Sequence, residues 1–183
     1  MNGKIGWKVA NSMKYLVVSD NHGNRDVLEK LFARYRGTVD LMIHCGDSEL
    51  PSDDPLWDGV DKVTGNCDYD SGYPKTLTIE TALDRIFVTH GHLYDVRFGV
   101  HTLSLKAAEE GANLTLFGHT HQIACEQVSD CLFLNPGSIE QPRGKIQEKS
   151  YCMIESTAET FEVQYYRKDF TEISDLAFTF TKL

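Results

Sequence analysis

Short apolar runs, each closed by a cluster of polar residues, recur along the first two thirds of the chain. Residues 15–19 (YLVVS) are a β-branched run that ends at Asp20, and residues 41–44 (LMIH) are a second that ends at Cys45-Gly46-Asp47. Between them Val27, Leu28, Leu31, Phe32 and Tyr35 recur at helical spacing, which predicts a helix over residues 24–35 with Asn24 as its N-cap. The chain therefore opens as strand, loop, helix, strand, with polar residues just past each strand, where open α/β sheets bind ligands. Residues 48–58, rich in Asp and Pro, read as a loop, and residues 60–63 as a short strand running into Gly65-Asn66, where glycine permits a sharp turn. A hairpin is predicted from residues 76–80 and 85–89 about Ala82-Leu83-Asp84, its second strand delivering His90. A helix over residues 102–110, with Leu103, Leu105 and Ala107 apolar and Gly111 as its C-terminal cap, precedes a strand at 114–117 that ends at Gly118-His119.

Beyond Ile123 helical periodicity fades, and strands are expected near residues 123–128, 132–134, 151–155 and 161–166. Two mixed or parallel sheets covered by helices give an α/β sandwich of several layers, with the polar loops gathered along one edge. Because the first strand signal begins only at residue 15, residues 1–12 read as an N-terminal extension, Met13 as a candidate start, and residues 13–183 as one domain. A chain of 183 residues suits a single core.

Composition changes this picture only by exclusion. With 41% hydrophobic and 25% charged residues the chain is ordinary for a globular fold, and a formal net charge of −9 argues against broad contact with a nucleic-acid backbone. No run approaches the roughly 20 apolar residues that span a membrane, and residues 1–12 lack the apolar stretch of a secretory signal, so the expected compartment is the cytoplasm. Five cysteines (Cys45, Cys67, Cys125, Cys131, Cys152), odd in number and without CxxC spacing, disfavour both a disulfide framework and a thiolate zinc site.

The chemistry lies in the polar clusters: Asp20-Asn21-His22, Gly46-Asp47, Gly65-Asn66-Cys67-Asp68, His90-Gly91-His92 and Gly118-His119-Thr120-His121. Taken singly, Asp20 with His22 reads equally as a turn aspartate and a surface histidine, and Asp47 as a turn cap. Together, in one order and each at a strand end, they hold five of the seven histidines and, Cys67 apart, offer oxygen and nitrogen ligands, which points to a two-metal site. An anionic substrate would then meet its positive charge on the metals. His44 and His101 stand outside these clusters and read as structural.

The series resembles the calcineurin-like metallophosphoesterase superfamily, with its pattern DxH, GD, GNx(D/E), H and GHxH, continuously over residues 20–121. The details Ser19-Asp20-Asn21-His22-Gly23, Gly65-Asn66-Cys67-Asp68, Thr89-His90-Gly91-His92 and Asn135-Pro136-Gly137-Ser138 resemble its small phosphodiesterases of the YfcE type. That resemblance implies a four-layer αββα sandwich of two mixed sheets flanked by helices, and metal-dependent hydrolysis of a small phosphodiester. By motif position one metal takes Asp20, His22, Asp47 and His121, and the other takes Asp47, Asn66, His90 and His119, with Asp47 bridging. Mn²⁺ is the first expectation, with Zn²⁺, Fe and Ni²⁺ as alternatives. Two cations roughly 3.5 to 4 Å apart hold a hydroxide that attacks phosphorus in line.

Cys67 departs from the superfamily, which usually carries His after Gly-Asn. A thiol is a weaker acid and donor than imidazolium, so the leaving-group proton lacks an obvious source. Cys67 and His92 are nevertheless the candidates for catalysis beside Asp47, and His92 reads equally as a histidine bonded to the backbone. Asn66 and Arg143 are candidates for substrate binding, Arg143 reading also as a residue that stabilises its loop, and Asp68 for orienting a neighbouring ligand or capping a turn. A homodimer or homotetramer is expected from small members of the fold. The competing functions are a phosphomonoesterase and a protein-binding scaffold of the retromer-subunit type.

Overall fold

Alternation along the central strands sorts side chains onto two faces, and that sorting builds the layers. In the computed structural model, which describes residues 11–183, strands β1 (Ser12–Val18), β2 (Leu41–His44), β3 (Asp61–Lys62), β9 (Ser150–Thr157), β10 (Thr160–Arg167) and β11 (Glu172–Thr181) form one sheet in the order β11-β10-β9-β1-β2-β3. Strands β4 (Thr76–Glu80), β5 (Arg85–Thr89), β6 (Leu114–Leu116), β7 (Ile123–Val128) and β8 (Cys131–Pro136) form the other in the order β4-β5-β6-β8-β7. Both are mixed: β1, β2 and β3 run parallel, as do β5, β6 and β8, while β4, β7, β9, β10 and β11 pair antiparallel.

Tyr15 and Val17 of β1 face Ile86 and Val88 of β5 and Leu114 and Leu116 of β6 across the inter-sheet core. The alternate residues Leu16 and Val18 face outward onto Leu28, Leu31 and Phe32 of helix α1 (Arg25–Tyr35). In the second sheet Phe87 and Phe133 face outward onto Leu103 and Ala107 of helix α2 (His101–Glu110). The result is the four-layer αββα sandwich, and each fully buried side chain of this kind contributes about 1.5 to 3 kcal/mol. No helix among the described residues is long and apolar enough to cross a membrane.

The expected helices, hairpin and caps are present: the Asn24 side chain accepts from Val27 N–H, and Gly111 ends α2 at φ +66°. Two differences have physical causes. The strand expected over residues 60–63 shortens to Asp61–Lys62: Val60 turns its N–H back to the Trp57 carbonyl, and β2 ends at His44, opposite Lys62. Strand β11 was not expected; the register shift opposite Gln164 and Tyr166 puts Ile173 and Leu176 three residues apart on the inner face, so the period of two holds only from Leu176 to Phe180. Of the expected N-terminal extension, residues 1–10 lie outside the described residues, and Ser12 is the first residue of β1, paired with Thr157.

Candidate metal centre

The loops that leave β1, β2, β5 and β6 meet at one edge of the sandwich. Gly118 N–H donates to the His90 carbonyl, His119 N–H donates to Asp20 Oδ2 at 3.2 Å, and Asp20 N–H donates to the Gly46 carbonyl. From the loop after β8, the Ser138 hydroxyl donates to the Asp20 carbonyl and the Asn135 amide to the Gly118 carbonyl. Glycine is needed where these loops touch. A Cβ on Gly65 would stand 1.9 Å from Asp47 Oδ1, and one on Gly118 would stand 2.1 Å from Ser19 Oγ. The backbone is also held in an unfavourable form: Asp20, His22, Asp47, His119 and His121 have φ of +58°, +43°, +54°, +67° and +59°. Such conformations cost about 1 to 3 kcal/mol each in non-glycine residues and gather where function requires a fixed geometry.

Four of the expected ligands, Asp20, His22, Asp47 and His121, bring their donor atoms within 4.8 Å of one another. His121 Nε2 lies 3.1 Å from Asp20 Oδ1 and 3.0 Å from His22 Nε2. Asp47 Oδ2 stands between His90 Nε2 at 3.3 Å and His22 Nε2 at 4.0 Å. The far nitrogen of each of these three rings meets an acceptor: His22 Nδ1 faces Glu49 Oε1 at 2.6 Å, His90 Nδ1 the Cys45 carbonyl at 2.7 Å, and His121 Nδ1 the Gln141 carbonyl at 2.7 Å. Each Nδ1 therefore carries the proton and donates it, which leaves three Nε2 lone pairs turned toward two buried carboxylates. Lone pairs facing lone pairs cannot hydrogen-bond. Accordingly Asp20 Oδ1 and His90 Nε2, both buried, have no hydrogen-bond partner.

The second expected set is gathered less completely. The His90 and His119 rings lie 5.1 Å apart, but His119 Nε2 receives the Arg97 Nε–H at 3.0 Å, and Asn66 is exposed with its amide donating to Cys67 Sγ at 3.3 Å. The His92 ring stands 5.4 Å from that of His90, and its buried Nδ1 has no partner, which removes the backbone-bonded reading at that atom. Cys67 N–H donates to Asp47 Oδ1 at 2.8 Å. Asp68 binds the N–H groups of Asp47, Gly65 and Glu49, so it fixes the loop that presents Asp47. Arg143 is exposed, with its backbone N–H on the His121 carbonyl. His44 is structural, its two ring nitrogens meeting Asn21 Oδ1 and Gly46 N–H, and His101 opens α2. Sequence reasoning missed Glu49 and Arg97. Each reaches its histidine from a loop with no motif of its own.

Electrostatics follow from burial. Desolvation pushes the Asp20 and Asp47 carboxyls up, but where no cation is bound a second proton taken up at His121 or His90 beside Asp20, and at His90 beside Asp47 together with the Cys67 N–H, holds both below the ordinary carboxylate range. Burial lowers His119 to about 4, helped by His90 and Arg97, and burial followed by the charge of Asp47 pushes the Cys67 thiol up to about 11.

The model of the calcineurin-like phosphoesterase superfamily domain matches residues 13–159. A probable metallophosphoesterase of Bacillus subtilis, YsnB, is 37% identical over 164 residues, covering 90% of this chain and 96% of that protein. Escherichia coli phosphodiesterase YfcE is 29% identical over 170 residues, covering 79% of this chain and 88% of that protein. Among solved structures, a predicted phosphoesterase from Streptococcus pneumoniae superposes with a TM-score of 0.91 at 40% identity, covering 93% of this chain and 98% of the other.

Proposed function

The chain belongs to the calcineurin-like phosphoesterase superfamily, and from that premise we propose that it is a metal-dependent phosphodiesterase whose cations are held by Asp20, His22, Asp47, Asn66, His90, His119 and His121. The observation that carries the reading is the convergence of three imidazole lone pairs on two buried carboxylates, with Asp20 Oδ1 and His90 Nε2 left unpaired. A divalent cation satisfies such a set, and carboxylate, imidazole and amide donors without thiolate suit Mn²⁺, Fe, Ni²⁺ or Zn²⁺. Mn²⁺ is the metal proposed first.

When bound, paired cations offset charge on the phosphoryl oxygens and make water nucleophilic near neutral pH. The chain's own part is positioning. Asp47 is the bridging candidate, because Oδ2 lies between His22 and His90 while the Cys67 N–H fixes Oδ1. Glu49 and two backbone carbonyls hold the rings in the tautomer that presents Nε2. At about 11, the Cys67 thiol stays protonated at neutral pH but is a far weaker acid than an imidazolium, so it is the less effective donor to a leaving group. His92, whose buried Nδ1 has no partner and whose ring stands 5.4 Å from that of His90, is the residue proposed to contact the ester oxygens.

The diester preference rests on the likeness to YfcE, a protein named as a phosphodiesterase. The test compares bis-p-nitrophenyl phosphate with p-nitrophenyl phosphate, before and after chelation and with Mn²⁺ restored. Faster turnover of the diester, lost on chelation and recovered with Mn²⁺, is expected. Full activity without metal overturns the reading, a preference for the monoester converts it to a phosphomonoesterase, and metal-free protein with a stoichiometric protein partner favours the scaffold.

A further inference from the structure

The chain has seven arginines, and five of them are accounted for. Arg25 pairs with Asp54 and Glu29, Arg36 with Asp58, Arg85 with Glu80 and Arg167 with Glu148, while Arg34 lies over the rings of Tyr35 and Phe170. Arg97 and Arg143 are different. Neither forms a salt bridge with a carboxylate among the described residues, in a chain whose net charge is −9.

These two line the same groove of about 400 Å³, on the side of the cluster where Thr120 separates His119 from His121. They arrive from different segments, Arg97 from the turn after β5 and Arg143 from the loop after β8, and each is tied to one histidine. Arg97 spends its Nε–H on His119 Nε2, and Arg143 is anchored only through its backbone N–H on the His121 carbonyl. The terminal guanidinium nitrogens of Arg97 and the whole guanidinium of Arg143 make no hydrogen bond among the described residues. Thr120 and Gln122 add neutral polar groups, Phe117 an apolar wall, and Glu126 is the single carboxylate in the lining. A separate groove, of about 510 Å³, is lined by Glu49, Asp68 and Asp70 beside Cys67. The two approaches to the centre therefore differ in sign.

We infer that the arginine groove is a second anion subsite, so that the substrate carries, besides the scissile phosphate, another oxyanion that lies against Arg97 and Arg143. Planar guanidinium groups hold phosphate or carboxylate through paired, charge-assisted hydrogen bonds, and a free arginine beside a site that itself takes phosphate has such a partner in the substrate. The acidic groove repels the same group, which fixes the direction in which an asymmetric ester enters. This rests on the phosphodiesterase reading for its scissile group, although the subsite itself does not need turnover.

The test uses two esters with one leaving group, thymidine 5′-(p-nitrophenyl phosphate) with and without a 3′-phosphate. The expected result is a kcat/KM at least about tenfold higher for the 3′-phosphorylated ester, falling to within about twofold of unity in Arg97→Ala/Arg143→Ala. Lys168→Ala removes an exposed charge elsewhere and should keep the preference. In parallel, thymidine 3′,5′-bisphosphate and thymidine 5′-phosphate are titrated calorimetrically into the protein without added metal. Tighter binding of the bisphosphate that vanishes in the double variant supports the subsite even if neither ester is hydrolysed, in which case the phosphodiesterase reading falls alone. Equal rates and equal affinities in the wild-type chain, or a preference untouched by loss of both arginines, overturn the subsite and leave the activity standing.

Discussion

Strand β5 has a buried carboxylate cluster at each end, and the two are built on opposite terms. Just before it Asp84, with a fully buried side chain, accepts from the Tyr15 hydroxyl at 2.6 Å, Ser156 Oγ at 2.5 Å, Lys182 Nζ at 2.6 Å and Asn113 Nδ2 at 3.0 Å. Just after it, His90 joins Asp20 and Asp47, where Asp20 Oδ2 is satisfied by Ser19 and the His119 N–H but Oδ1 has no donor. A satisfied buried ion pair fastens the molecule: Lys182 follows β11 and Asp84 lies in the β4–β5 turn, so the pair ties the last strand of one sheet to the hairpin of the other. An unsatisfied cluster destabilises the fold by itself, because a buried polar group without a partner costs about 1 to 3 kcal/mol. Similar burial and similar residue types thus serve stability at one end and cation binding at the other. The difference lies in who supplies the counter-charge.

The sharpest way to break this contrast is to remove each carboxylate and read both stability and metal. Asp84→Ala leaves Lys182, its side chain only 12% exposed, without an anion, and should lower the unfolding free energy by about 3 to 5 kcal/mol in urea titrations. Bound metal, measured on the folded fraction, should be unchanged. Loss of metal along with stability would mean that the two ends are not independent. Asp47→Asn should do the reverse: kcat/KM on an aryl diester falls more than about a hundredfold and bound metal drops, because a donor shared by both ligand sets is gone. The metal-stripped variant should unfold only slightly more easily than the metal-stripped wild type, because the lost pairing of the Asp47 carboxylate with His90 is offset by relief of its repulsion from buried Asp20. A marked loss of stability there would assign Asp47 to the scaffold instead.

The two ends also differ in how far the chain announces them. His22, Asp47, His90 and His119 each adjoin a glycine, and Asp20 and His121 share their loops just past apolar runs, since each loop must turn sharply and approach its neighbours closely, so local sequence carries the signal. The layer order was readable for the same reason, because residues 15–18 and 85–89 alternate between the inter-sheet core and a helix. Nothing local marks Lys182 or Ser156 as partners of Asp84, because they lie 98 and 72 residues away along the chain and only the sheet order brings them together. Glu49 and Arg97 escaped for a third reason. A residue that touches a ligand rather than the metal is free to come from any nearby loop, and its spacing is not set by coordination geometry.

Two smaller substitutions sharpen the contrast within the metal cluster itself. Glu49→Gln replaces the carboxylate that accepts the His22 Nδ1 proton with a neutral carbonyl, so the ring keeps its tautomer but its Nε2 becomes less basic. Metal affinity should fall about tenfold by competition with a chelating dye, and an unchanged affinity would show that the 2.6 Å contact does not govern the ligand. Cys67→Ser should change least. The contact that matters is the Cys67 backbone N–H on Asp47 Oδ1, which serine retains, and a thiol pushed up to about 11 is a weak acid that forms no thiolate at neutral pH. The expected change in kcat/KM is within about threefold, about 0.6 kcal/mol. A loss beyond tenfold would mean that sulfur itself touches the reacting group or the cation, in which case the proximity of Cys67 Sγ to His22 and Glu49, all within 4.8 Å, becomes part of the site rather than its margin.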